Sequence, residues 1–119
     1  MRRSARCRSG PGGEAVRRGD LYLAALPQPV GSRPVLLVTR SAAIAVRGAV
    51  TVAPVTRTVR GIASEVPLDA THGLRTASVA NCDSLQTIPR SALRRRLGTL
   101  APADFPALDR ALRFALEIR

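Results

Sequence analysis

Val35-Leu36-Leu37-Val38-Thr39 is a continuous apolar run, without the alternation of a half-exposed strand. It is far too short to cross a bilayer, and it reads as a strand covered on both faces. Upstream, Asp20-Leu21-Tyr22-Leu23-Ala24-Ala25-Leu26 is a second strand, which must end where Pro27-Gln28-Pro29 opens a loop. Downstream, Ala49-Val50-Thr51-Val52-Ala53-Pro54-Val55-Thr56 is rich in β-branched residues. Pro54 has no N–H to give a ladder, so a bulge or a sheet edge is expected there. Ala63 to Leu68, Ser78 to Cys82, Leu85 to Ile88 and Arg96 to Leu100 read as further short strands, with a turn over Ser91 to Arg95. Many short strands separated by Gly and Pro predict a mainly β fold, a closed or nearly closed barrel that avoids long open edges. The C-terminus differs. Phe105, Leu108, Leu112, Ala115 and Leu116 recur at helical spacing after Asp104, a possible cap, and predict an amphipathic helix packed on the barrel.

The chain has 119 residues, room for one domain and one modest core. Its hydrophobic fraction is 45%, yet only Tyr22, Phe105 and Phe114 are aromatic, so the core must come from Val, Leu, Ile and Ala. The net charge is +11 and every basic residue other than His72 is Arg. Arginine grips phosphate with a planar fork of donors, so this balance points to a polyanionic partner. Residues 1–16 are rich in Arg, Ser and Gly and read as a disordered basic tail before a folded domain at 17–119. Residues 19–119 still carry thirteen Arg against seven acids, so the folded part is basic without the tail. Two distant cysteines and one histidine make neither a disulfide framework nor a zinc site. No stretch suits a membrane span or a secretory signal, and a cytoplasmic protein is expected.

Gly19-Asp20-Leu21-Tyr22, Gly31-Ser32-Arg33-Pro34-Val35-Leu36-Leu37-Val38 and Val52-Ala53-Pro54-Val55-Thr56 resemble the MazF/PemK toxin family. Glu65-Val66-Pro67-Leu68 follows loosely, then Ser78-Val79, Asp83, Gln86-Thr87-Ile88 and Leu97-Gly98-Thr99-Leu100 keep the family's order. No piece is specific alone; their order and spacing carry the match over about residues 17 to 119. The resemblance implies an SH3-like small barrel of the MazF/PemK/CcdB type with a C-terminal helix. It implies a homodimer that cuts single-stranded RNA (mRNA or rRNA) without metal or cofactor and is blocked by a cognate antitoxin protein. The family's usual catalytic pair, an Arg in the RPV motif and a Thr ending the following strand, falls on Arg33 and Thr56. Gln28, Ser32, Arg57, Ser78, Asn81, Gln86 and Thr87 are the expected RNA-contacting positions.

The chemistry is simple in outline. RNA carries its own nucleophile, the 2′-hydroxyl, so the enzyme needs a base, an acid and a cation for the charge building on phosphate. The product is then a 2′,3′-cyclic phosphate with a 5′-hydroxyl. Arg33 suits the cation, held extended by Pro34, and Thr56 can donate a hydroxyl hydrogen bond to phosphate. Asp83, where some family members carry an acidic residue credited with catalysis, is either the base or the cap of the turn before Leu85. Some relatives have Arg at the position of Asn81, which here reads a base edge instead and leaves the acid unassigned. His72, in a turn, reads as a surface histidine, and Cys82 as a small strand residue rather than a nucleophile. The run Arg94-Arg95-Arg96 is a solvated face or a phosphate track. Two other functions suit the same pattern: a non-catalytic nucleic-acid-binding barrel and, less well because the chain has no Trp, a CcdB-like gyrase poison.

Overall fold

The apolar run becomes the centre of a curled antiparallel sheet in the structure, a computed structural model that describes residues 15–119. Seven strands form it: β1 (Asp20–Ala25), β2 (Ser32–Leu37), β3 (Ala49–Thr56), β4 (Glu65–Leu68), β5 (Ser78–Asn81), β6 (Gln86–Pro89) and β7 (Leu93–Thr99). Their order is β4-β5-β3-β2-β1-β7, with β6 beside the first half of β3. A short helix α1 (Ser41–Val46) joins β2 to β3, and α2 (Phe105–Leu116) follows the last strand. The mainly β barrel with a C-terminal helix is therefore present. The α1 turn, whose Ser-Ala-Ala-Ile-Ala-Val carries too little pattern to read, was not expected. Most of the tail expected at 1–16 lies outside the described residues; of its last two, Val16 already packs into the core.

Strand alternation divides the core in two. Leu21, Leu36, Ala53 and Val55 face one side, where Leu108 and Ala111 of α2 close over them. Tyr22, Val35, Leu37, Val50 and Val52 face the other, covered by Ile44 of α1, Ile88 and Leu93. Val35, Leu36 and Leu37 are completely buried, which is what covering both faces requires.

Pro54 lies neither at an edge nor at a bulge. Beside it the neighbour of β3 changes: Val52 is opposite Gln86 of β6, while Val55 is opposite Ala80 of β5. A residue without an N–H fits this gap between two ladders. The sheet's ends do not hydrogen-bond to each other. Instead, the turn after β4 docks on β7 through a pair of glycines. A Cβ on Gly73 (φ +89°) would collide with the Leu97 carbonyl, and one on Gly98 with the carbonyl of His72. This contact completes the curl and sets residues 73–76 beside β7.

The predicted stripe of α2 holds in part. Leu108 and Ala111 are buried, Phe105, Leu112 and Ala115 pack on the core, and Leu116 is exposed. Asp104 does not cap α2 as expected. Its Oδ2 accepts the Ala101 N–H at 2.8 Å and faces His72 Nε2 at 3.1 Å.

Candidate active site

Strand register brings the site together. Val35 is opposite Pro54, where the β2–β3 ladder ends, and Arg33 and Thr56 just beyond it border the same cavities. Glu65 is opposite Asn81, and Gln86 is opposite Val52. Because side chains alternate, Arg33, Thr56, Asn81, Glu65 and Gln86 all leave the sheet on one face. They line a cleft of about 300 Å³, floored by Leu26 and Pro54. Arg33, Thr56 and Thr58 also border a second cavity of about 660 Å³, so these three stand on the ridge between two depressions.

The local bonding defines what each group can offer. Arg33 is partly buried, and its guanidinium makes no ion pair with a described residue. Thr56 Oγ1 accepts the Thr58 N–H at 3.1 Å, which leaves its own proton to donate into the cleft. Glu65 Oε1 accepts the Gly61 N–H at 2.9 Å, and both carboxylate oxygens take the Arg60 N–H at 3.1–3.2 Å. Gly61 has φ +74°, a left-handed turn that bends the loop back onto this carboxylate. Asn81 Oδ1 accepts the Asp83 N–H at 2.9 Å and its Nδ2 donates to Ser84 Oγ at 3.3 Å. Asn81 therefore shapes the turn Cys82–Ser84 as well as the cleft wall.

Several expected positions fall elsewhere. Asp83 lines neither cavity; its Oδ2 accepts a short 2.5 Å hydrogen bond from the fully buried Ser64 hydroxyl. It ties the Cys82–Ser84 turn to the start of β4, and the turn itself is capped by Asn81. Thr87 points to the opposite face from Gln86 and pairs with Thr51 Oγ1 at 2.8 Å. Gln28 is exposed in the β1–β2 loop and lines neither cavity. Ser32, Arg57 and Ser78 line the second cavity. Sequence reading missed Glu65, because nothing in the chain shows that β4 begins opposite Asn81. It also missed Thr58, Arg60 and Ser84 in the cleft and Arg75 in the second cavity.

His72 is not a surface residue. It is 7% exposed, its Nδ1 accepts the Asp69 N–H at 3.1 Å, and its Nε2 lies 3.1 Å from Asp104 Oδ2. The Asp69 carboxyl is held below its ordinary range by hydrogen bonds from Thr71, first the hydroxyl and then the amide. Asp104 is held low by the Ala101 N–H and then by His72. The trio is a clamp between the turn Ala70–His72 and the start of α2. Burial, with Asp83 nearby, pushes the Cys82 thiol up to about 11, so it stays protonated at neutral pH. Among the described residues no group of three or more His, Cys, Asp or Glu side chains is arranged to hold a metal ion, and no helix is long and apolar enough to cross a membrane.

Comparison with known proteins fits this geometry. Residues 17–116 match the family described as PemK-like, MazF-like toxin of type II toxin–antitoxin system. The chain is 47% identical over 87 residues to endoribonuclease MazF3 of Mycobacterium tuberculosis, covering 73% of this chain and 84% of that one. It is 42% identical over 99 residues to the probable endoribonuclease MazF2 of the same species, covering 82% and 95%. Among solved structures, the Mycobacterium tuberculosis toxin MazF-mt6 superposes with a TM-score of 0.79 at 43% identity, covering 84% of this chain and 98% of its own. A mycobacterial endoribonuclease solved in complex with its cognate antitoxin gives 0.78 at 28% identity, covering 88% and 98%.

Proposed function

Because this chain belongs to the PemK-like, MazF-like toxin family, we propose that the cleft around Arg33 and Thr56 is where it cuts RNA. The protein is the endoribonuclease toxin of a type II toxin–antitoxin pair, with single-stranded RNA as substrate and a cognate antitoxin as its inhibitor. It acts as a homodimer in the cytoplasm, where cellular RNA is met. The observation that carries the site assignment is the meeting of Arg33, Thr56 and a single carboxylate, Glu65, on one face of the sheet.

In this reading Arg33 holds two oxygens of the scissile phosphate with its fork, and the Thr56 hydroxyl donates to one of them. Glu65, rather than Asp83, takes the proton from the 2′-hydroxyl. The 2′-oxygen bonds to phosphorus, the bond to the 5′-oxygen breaks, and that oxygen takes a proton from water in the open cleft. A 2′,3′-cyclic phosphate and a 5′-hydroxyl result. No step calls for a metal, and the lone Glu65 carboxylate offers no paired ligands to hold one. Asn81 and Gln86, whose side chains line the cleft beside the scissile position, read base edges.

The test is direct: purified protein is incubated with a long single-stranded transcript in EDTA. Discrete fragments bearing 5′-hydroxyl ends are expected. Intact RNA bound by the protein would instead support a non-catalytic barrel.

A further inference from the structure

The second cavity differs in kind from the cleft. Its wall carries Arg33, Arg57, Arg75 and Arg95 and no carboxylate. Arg57, Arg75 and Arg95 are exposed, and none makes an ion pair with a described residue. Two arginines outside the cavity are matched: Arg18 Nη2 lies 3.0 Å from Asp109, and Arg96 Nη2 lies 3.8 Å from the buried Asp20. The gathering follows from the fold. The Gly73–Gly98 contact docks the turn after β4 against β7, and so places Arg75 on the same wall as Arg95. Strand alternation explains why Arg95 faces this cavity while its neighbour Arg96 turns toward Asp20.

Four like charges around about 660 Å³ repel one another unless an anion lies between them. None of Tyr22, Phe105 and Phe114 lines the cavity, so it has no platform on which to stack bases. What remains is grip on a charged backbone, with the hydroxyls of Ser32, Thr58 and Thr76 as added donors.

We infer that the second cavity is a phosphate track, in which Arg57, Arg75 and Arg95 hold the backbone of the RNA strand leading away from the cut. The inference rests on the endoribonuclease reading above. It divides the work: bases are read in the cleft by Asn81 and Gln86, and flanking phosphates are held across the ridge formed by Arg33 and Thr56.

The experiment compares the full-length chain with the Arg75→Gln/Arg95→Gln double variant. Arg110→Gln, on the exposed outer side of α2, serves as a charge control. The kcat/KM is measured from about 50 to about 300 mM salt on a long single-stranded transcript and on a short oligonucleotide centred on the mapped cut. Removing one arginine–phosphate pair should flatten the slope of log kcat/KM against log salt by about 0.7. The double variant is therefore expected to flatten that slope by about 1.4 on the transcript, and by less on the oligonucleotide. The charge control should keep the wild-type slope. An unchanged slope in the folded double variant, while the wild type cuts normally, overturns the track alone. The same unchanged slope with weakened antitoxin binding would also overturn it, giving the cavity to a protein partner. A wild-type chain that cuts no RNA overturns the endoribonuclease reading and the track with it.

Discussion

Replacing Glu65 by Gln separates the two carboxylates that compete for the role of base. The substitution keeps the shape of the side chain and one acceptor oxygen but removes the charge and the basicity. Loss of a positioned general base costs about 10²- to 10⁴-fold in rate, roughly 3–5 kcal/mol in the barrier. The structural cost is smaller. Glu65 accepts the backbone N–H groups of Arg60 and Gly61, and Gln still satisfies one of them, so about 1 kcal/mol of stability is lost. Asp83→Asn has the opposite profile. Asn retains an oxygen for the Ser64 hydroxyl and touches neither cavity, so the rate should stay within about tenfold while the Tm falls by a few degrees. Single-turnover cleavage under saturating enzyme, followed across pH, measures both variants without interference from product release. Normal cleavage by folded Glu65→Gln, together with a loss of about 100-fold or more in Asp83→Asn, would refute the reasoning and return the base to Asp83.

Three further outcomes follow from the same geometry. Arg33→Ala should lower cleavage by about 10²- to 10³-fold or more, as removal of a transition-state donor does, and Thr56→Ala should also impair it. Both should melt as the wild type does by circular dichroism. Gly73→Ala meets a positive φ and the Leu97 carbonyl together, so it should destabilise the fold by about 2–4 kcal/mol, seen as a Tm lower by roughly 10 °C or more. The Asp104 carboxyl is held low in the folded state, so its stabilising contribution is present above the ordinary carboxylate pKa near about 4 and lost as pH falls through the folded value. Asp104→Asn should therefore flatten the decline in stability between about pH 5 and about pH 2, measured by urea unfolding.

How much of this was legible in the sequence depends on the range of the interaction. Val35-Leu36-Leu37 announced a doubly covered strand because burial on two faces leaves no polar alternation. The helical stripe of α2 was legible from its three- and four-residue spacing, which sets Leu108 on the buried side. Arg33 and Thr56 were singled out through the ordered motifs of a family, and the pairing of β2 with β3 brings these residues, 23 positions apart, to the same cavities. Glu65 was missed because its place depends on β4 pairing with β5, and a four-residue strand does not declare its register. His72 was misplaced because its partners, Asp69 and Asp104, come from opposite ends of a 35-residue interval. Pro54 was read as a break in one ladder, when it fills the space between two.

The central claim is that Arg33, Thr56 and their cleft cut RNA by turning its own 2′-hydroxyl on the neighbouring phosphate. Its most direct test uses two oligonucleotides spanning the mapped cut, one all-ribose and one with a single 2′-deoxy sugar on the 5′ side of the scissile phosphate. In EDTA the ribose strand should be cut to a 2′,3′-cyclic phosphate and a 5′-hydroxyl, while the deoxy strand binds and stays intact. Cleavage of the deoxy strand at the same bond would contradict the account.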